Sequence, residues 1–251
     1  MTGPRRHALV AAGILALLAT WELAAAVTGI PEYLLPRPTV VGAKFWATAA
    51  EQLDHTAVTA ATTLLGLLMA LGAGVSLALL VVYVRPLKTL LLPVLAAFNG
   101  IPKMAVAPLL VTWFGLGAEP KVLLAFLLSL FPVFVGSATG LGEIEPDVLD
   151  LARLAGGNEL RIFRKVRLMN ALPYLADAMK VSFPLALAGS IVGEFIGGNR
   201  GIGFLILSAQ SNLDTPLVFA CLLSITLFTT AGIALVVLAE TLFLSWRPSR
   251  R

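Results

Sequence analysis

Charge is what this chain has least of. Only 13% of its 251 residues are Asp, Glu, Lys or Arg, against 58% hydrophobic. A soluble domain carries about 25% charged residues, because its surface needs polar cover. The shortfall excludes an ordinary water-soluble core and points to an integral membrane protein. Thiols and imidazoles are equally scarce. The single cysteine, Cys221, lies in an apolar run, so there is no disulfide frame and no thiolate metal site. The two histidines, His7 and His55, stand far apart in sequence and make a poor ligand pair, so no metal site is expected. Neither H-E-x-x-H nor G-x-S-x-G occurs, so no catalytic residue is assigned and an intramembrane enzyme is not expected. No G-x-x-x-x-G-K-[ST] phosphate loop occurs either, and "GGNRGIGF" lacks the G-x-G-x-x-G order.

What the chain has instead is apolar runs of membrane-crossing length, about 20 residues each. They cover 8–30, 56–84, 89–115, 122–142, 171–193 and 215–244. The fold class expected is therefore an all-α integral membrane protein of six transmembrane helices. It forms one domain, 1–251, without a repeat or an appended soluble domain. The first run follows Arg5 and Arg6 as a signal peptide would, but it reaches Ile30 and carries Glu22, which fits an uncleaved helix better. The third is interrupted by "NGIPKMAVAP".

Basic residues set the orientation. Arg5, Arg6, Arg85, Lys88, the cluster between spans four and five, and Arg247, Arg250 and Arg251 share one side if six spans alternate; Arg37, Lys44, Lys121 and Arg200 take the other. The positive-inside rule then puts both termini in the cytoplasm. It also accounts for the net charge of +4 without a nucleic-acid partner. The outer segment after span one holds Val40, Val41, Phe45 and Trp46 on one helical face, suited either to the bilayer surface or to a packed connector.

Ionisable groups inside spans are costly and have reasons to be there. Glu22 reads as structural. Asp177 and Lys180 stand one turn apart and can neutralise each other. Lys103, beside Pro102 and close to Asn99, falls where a proline-broken helix frees backbone groups to line a cavity. It can attract an anionic solute there, or pair with a neighbour, or snorkel to an interface. Glu194 ends span five and is placed to pair with Arg200 across the outer loop that holds Gly201 and Gly203.

The cluster between spans four and five reads as two short amphipathic helices over 143–170. Pro146, with Glu145 and Asp147, opens the first. Leu151, Leu154 and Ala155 form its apolar face. Gly156 and Gly157 stop it, and Asn158 caps the second. Ile162, Phe163 and Val166 give that helix an apolar face opposite Arg161, Arg164, Lys165 and Arg167, and Pro173 ends it or opens the next span. A solvated loop in contact with anionic lipid would explain the charge. The apolar faces ask for a protein groove as well.

This segment resembles the E-A-A, three residues, G, nine residues, I-x-L-P loop of permease subunits of ATP-binding cassette importers. Asp150, Leu151 and Ala152 take the E-A-A places, Gly156 the glycine, Val166 the isoleucine, Leu168 the leucine and Met169 the proline. "LPRPTVV", "PLLVTWFGLG" and "GGNRGIGFLI" extend the resemblance over about 35–244, to the branch serving nitrate, sulfonates, taurine and related organic anions. "NGIPKMAVAPL" departs from the P-P-L-A-W of taurine-type members.

The resemblance implies a type I importer-like permease in a prokaryotic cytoplasmic (inner) membrane. It implies a homodimer with a second copy of the chain, two cytoplasmic ATPase subunits that bind the ATP and magnesium, and an extracytoplasmic solute-binding protein. Asp150, Leu151, Ala152, Gly156, Asn158, Ile162, Phe163, Val166 and Leu168 are then the coupling residues. Asn99, Lys103 and Glu194 are the pathway candidates. The alternative is a secondary transporter or channel working without an ATPase.

Overall fold

The computed structural model describes residues 4–244, and among them every regular element is a helix. In chain order these are α1 (Pro4–Val27), α2 (Pro38–Ala47), α3 (Ala49–Tyr83), α4 (Arg85–Gly100), α5 (Lys103–Phe114), α6 (Glu119–Gly142), α7 (Pro146–Leu154), α8 (Glu159–Ile162), α9 (Leu168–Gly197), α10 (Ile202–Ser211) and α11 (Thr215–Phe243). A π-turn, Phe163–Arg167, joins α8 to α9. Arg247, Arg250 and Arg251, expected on the basic side, lie outside the described residues.

The six expected spans are only partly matched. Four helical stretches are long and apolar enough to cross a membrane: Ala49–Tyr83, Glu119–Gly142, Glu159–Gly197 and Thr215–Phe243. The first run forms α1, but its apolar part, Ala11–Val27, is shorter than these four. The third is not straight. Thr89–Gly100 and Lys103–Phe114 meet at 87°. Pro102 bars its predecessor from helical geometry, and Ile101 is extended at φ −69°, ψ 129°. Expectation also failed at span five, which starts earlier than 171. Pro173 interrupts nothing: it sits inside α9, and the helix runs on from α8 through the π-turn.

The antiparallel pair α6 and α9 is the centre, with α3 against both. Lipid tails are as apolar as leucine, so these helices gain from close backbone approach rather than from hydrophobic burial. A β-carbon at Gly136 would lie 2.6 Å from Ala178 Cβ, at Gly140 2.7 Å from Ala171 Cα, and at Gly189 2.6 Å from the Leu124 carbonyl oxygen. Among the small residues of α3, Gly66, Ala70 and Gly74 are buried in this seam, whereas Gly72 faces open space. Buried hydroxyls add interhelical contacts, Thr62 to Ser190 at 2.5 Å among them.

The segment after α1 packs in part against the bundle, with Trp46 left 77% exposed. α2 lies against α11, with Lys44 paired to Asp214 at 2.5 Å. Gln52, buried just after it, accepts from the Ser224 hydroxyl at 2.6 Å. Glu22 ties α1 to α2. Its carboxylate accepts from the Thr39 amide at 3.1 Å and the Thr39 hydroxyl at 3.0 Å, in the first turn of α2 where a negative charge is favoured.

The seam predicts opposite outcomes for two one-carbon changes. Gly189→Ala forces Leu124 away and costs about 1–3 kcal/mol, as overpacking does. Gly72→Ala is neutral or slightly stabilising, since alanine is the better helix former. Thermal unfolding of the detergent-solubilised protein separates them, and equal Tm values would show that the seam is not tight.

Candidate coupling loop and the opposite clamped loop

The 143–167 segment closes one end of the molecule. α7 stops in a Schellman turn. The Gly157 amide donates to the Ala152 carbonyl at 3.0 Å, and the Gly156 amide to the Arg153 carbonyl at 2.9 Å. The two glycines are required for different reasons. Gly156 has φ +77°, which a side chain disfavours, while a β-carbon on Gly157 would lie 2.6 Å from the Ala152 oxygen. Asn158 then caps α8, its side chain accepting from the Arg161 amide at 2.9 Å.

The expected coupling residues divide in two. Ile162 is buried beneath Gly157, and Phe163, Val166 and Leu168 are half-buried on the way into α9. They fix the loop to the bundle. α7 buries none of its residues. Leu151 is 67% exposed and Leu154 86% exposed, and among the described residues Asp150 is engaged by Arg153 at 3.1 Å. Ala152 is half-buried. The outward apolar face is therefore α7, extended by Leu160 on α8.

Sequence reasoning missed how the loop is tied to the bundle. Arg167 had been counted as one more basic residue of the second helix. Its guanidinium instead donates to the Leu141 carbonyl at 2.7 Å and lies 5.5 Å over the Tyr83 ring. Asn170 donates to the Gly140 carbonyl at 2.8 Å. Both satisfy the last carbonyls of α6, a place that favours a cation. α8 is thus joined to α9 along one helix and, through these two side chains, to α6.

Lys103 sits at the 87° bend. Its ammonium donates to Asn99 Oδ1 at 2.6 Å, bridging the break between α4 and α5. Among the described residues no carboxylate is paired with it. Lys180, in contrast, is held by Asp177 at 3.0 Å and also by Glu240 of α11 at 2.5 Å, which sequence spacing did not show.

At the end opposite the coupling loop, the expected pairing of Glu194 with Arg200 is not found. Arg200 pairs with Asp54, its Nη2 donating at 2.6 Å and 2.9 Å to the two carboxylate oxygens. Glu194 is 1% exposed and accepts from the Thr59 hydroxyl and the Gly203 amide, each at 2.8 Å. Thr59 accepts in turn from the Ile202 amide at 2.8 Å. The Gly201 amide donates to His55 Nδ1 at 3.1 Å, and buried Lys121 donates to the Arg200 carbonyl at 3.0 Å. The reason for the correction is geometric. Glu194 points inward at the amides that begin α10, while the Arg200 side chain points outward. Gly203, expected in the outer loop, lies in the first turn of α10. Gly201, at φ +122°, leaves no room for a β-carbon beside the Glu194 carboxylate. No group of three metal-ligating side chains occurs among the described residues.

Comparison with known proteins accords with this arrangement. Residues 62–245 match the family described as binding-protein-dependent transport system inner membrane component. The chain is 34% identical over 238 residues to the riboflavin transport system permease protein RibX of Chloroflexus aurantiacus, covering 94% of this chain and 89% of that one. It is 30% identical over 234 residues to the formylaminopyrimidine transport permease protein ThiX of Halalkalibacterium halodurans, covering 93% of each. An inward-facing structure of the MetNI methionine ABC transporter shares the fold, with a TM-score of 0.58 at 19% identity over 73% of this chain and 94% of that one. A helical bundle with an exposed amphipathic loop at one end, matched along most of its length by such permeases, belongs to the family of binding-protein-dependent ABC transporter inner-membrane permeases.

Proposed function

We propose that this chain is the membrane-spanning half of an ATP-driven importer, working as a pair of identical copies with two cytoplasmic ATPase subunits. The observation that carries this reading is α7, an amphipathic helix whose leucines face away from its own protein. An apolar helix face fits a hydrophobic groove on a partner. We count α1 as a crossing and the bent α4–α5 pair as one; six crossings with both termini cytoplasmic would then put that face on the cytoplasmic side. ATP and magnesium then belong to the partner. Its closure moves α7 and α8, and the continuous helix into α9, tied to α6 by Arg167 and Asn170, passes the movement into the bundle.

The solute reaches the pathway from an extracytoplasmic binding protein. We place Lys103 and Asn99 at the pathway wall, where an ammonium that pairs with no carboxylate among the described residues favours a small anion. The curated relatives named above are for riboflavin and formylaminopyrimidine, and others at 25–30% identity for aliphatic sulfonates and taurine, so the preference for an anion rests on Lys103. The buried position of Glu194 supports a role in holding the outer loop rather than in the path of the solute.

Three substitutions test the reading. Leu154→Glu puts a charge on the docking face and reduces co-purification of the ATPase at least several-fold while membrane insertion is kept. A protein that extracts alone, and transports in liposomes without ATP, would instead be a secondary transporter or channel. Gly156→Leu puts a side chain at positive φ, a cost of about 1–2 kcal/mol, which corresponds to about a tenfold loss of the native bend. The expected result is normal assembly with uptake per ATP hydrolysed falling by that order. Normal coupling would remove the Schellman turn from the mechanism. Lys103→Gln is expected to slow uptake of an anionic solute with the complex still assembled, and unchanged uptake would take Lys103 off the pathway.

A further inference from the structure

Beside the coupling loop, the end of α3 carries a groove that the bundle does not fill. Ser76, Leu80, Tyr83 and Val84 form one wall, and Leu160 of α8 and Phe163 of the π-turn form the other, around a volume of about 690 Å³. The opposite face of α3, with Gly74, Ala78 and Val81, is the one buried in the bundle. The groove has a firm back. Tyr83 and Phe163 meet edge to face with ring centroids 6.4 Å apart, and the Arg167 guanidinium lies 5.5 Å over the Tyr83 ring. Glu159 is the one carboxylate in the lining, and it faces the Arg153 guanidinium at 3.8 Å.

The groove lies at the depth of a lipid leaflet. The apolar run of α3 ends at Val84, and Arg85 opens α4. Tyr83 stands where tyrosines gather, at the boundary between membrane and water. From Ser76 to Val84 the helix rises about 12 Å, most of one leaflet of a hydrocarbon core about 30 Å thick. The water-facing end is basic. Arg164 and Lys165 follow Phe163 on the π-turn; both are exposed, and neither is in an ion pair among the described residues. Arg85 and Lys88 occupy the first turn of α4, just past Val84. An apolar slot with cations at its mouth is complementary to an amphiphile with a hydrocarbon tail and an anionic head.

We propose that this groove holds an acyl chain of one anionic phospholipid of the cytoplasmic leaflet, with its phosphate at Arg164 and Lys165. The lipid packs between α3 and the joint of α8 with the π-turn, and fills space that the protein leaves open. Two other occupants fit less well. A second copy meeting this face about a two-fold axis would set Arg164 and Lys165 against the same charges. A soluble ATPase does not reach Ser76 and Leu80, which lie on the membrane side of Tyr83. The site needs the membrane and the cytoplasmic side given by the six-crossing reading, but not ATP-driven import, so a secondary transporter of this fold would keep it.

The test uses the full-length protein, alone and with whatever ATPase co-purifies, stripped of lipid in mild detergent. Native mass spectrometry follows titration with phosphatidylglycerol or with phosphatidylcholine of identical chains. Phosphatidylglycerol is expected to fill one tight site per copy, about thirtyfold more tightly than phosphatidylcholine, as two basic side chains at a bilayer surface imply. Replacing both Arg164→Gln and Lys165→Gln is expected to remove that preference. Ser76→Phe fills the groove with the rim charges intact, and is expected to abolish the tight site for either lipid. Leu80→Trp serves the same purpose if Ser76→Phe does not fold. Glycerol 3-phosphate, a head without a chain, is expected not to compete. Equal affinity for the two lipids would overturn the proposal, as would a tight site that survives the filled groove or one that glycerol 3-phosphate empties. A site present in the protein alone and lost in its complex with the ATPase would assign the groove to that partner and overturn it too. Absence of any ATPase would sink the importer reading and leave this result standing.

Discussion

The backbone contact between α6 and α9 is the constraint on which the rest depends. At Gly136, Gly140 and Gly189 the two helices approach so closely that a single methyl group would strike the other chain. In a membrane this contact cannot be replaced by greasier side chains, because lipid competes equally well for those. Close approach gains dispersion and excludes lipid along the whole seam. It also sets the two ends of the pair in fixed relation, and each end uses that rigidity differently.

At the loop end the seam places the last carbonyls of α6 beside the first turn of α9. Arg167 and Asn170 occupy them, so the α7–α8 segment is anchored to both central helices and not merely spliced between them. The π-turn at Phe163–Arg167 lets α8 enter α9 without a break. Such turns recur at functional sites, where a local change of helical phase re-aims side chains. α7, on the other side of the Schellman turn, buries none of its residues against the rest of the described chain.

At the far end the same seam brings Lys121 against Gly193 and sets Glu194 under the start of α10. Here charge is buried rather than apolar surface exposed. The two ends therefore have opposite characters, one offering leucines on a short helix and the other a polar loop held stiff from beneath. The bent α4–α5 pair lies outside the central seam and carries Lys103, held by Asn99 across the bend.

Local grammar in the sequence was enough for much of this. Apolar run length predicted α6 and α11 nearly to their ends. Gly156, Gly157 and Asn158 announced a helix stop and a helix start, because a left-handed cap and a side-chain cap depend only on neighbouring residues. Pro102 marked the break in the third span but not its 87° angle. Pro173 misled, since its missing amide is tolerated inside α9. What the sequence could not yield was anything joining distant positions. Thr59 meets Glu194 across 135 residues, and Asp54 meets Arg200 across 146. With one acid and one base six residues apart, sequence proximity suggested that Glu194 and Arg200 pair. Tertiary packing decided otherwise, because it turned one inward to unsatisfied backbone amides and the other outward to solvent. The sequence by itself determined that the chain is a membrane helical bundle and where its amphipathic loop stops and starts. Which charges face each other was left to the packing of three helices, since only that brings their ends within hydrogen-bonding distance.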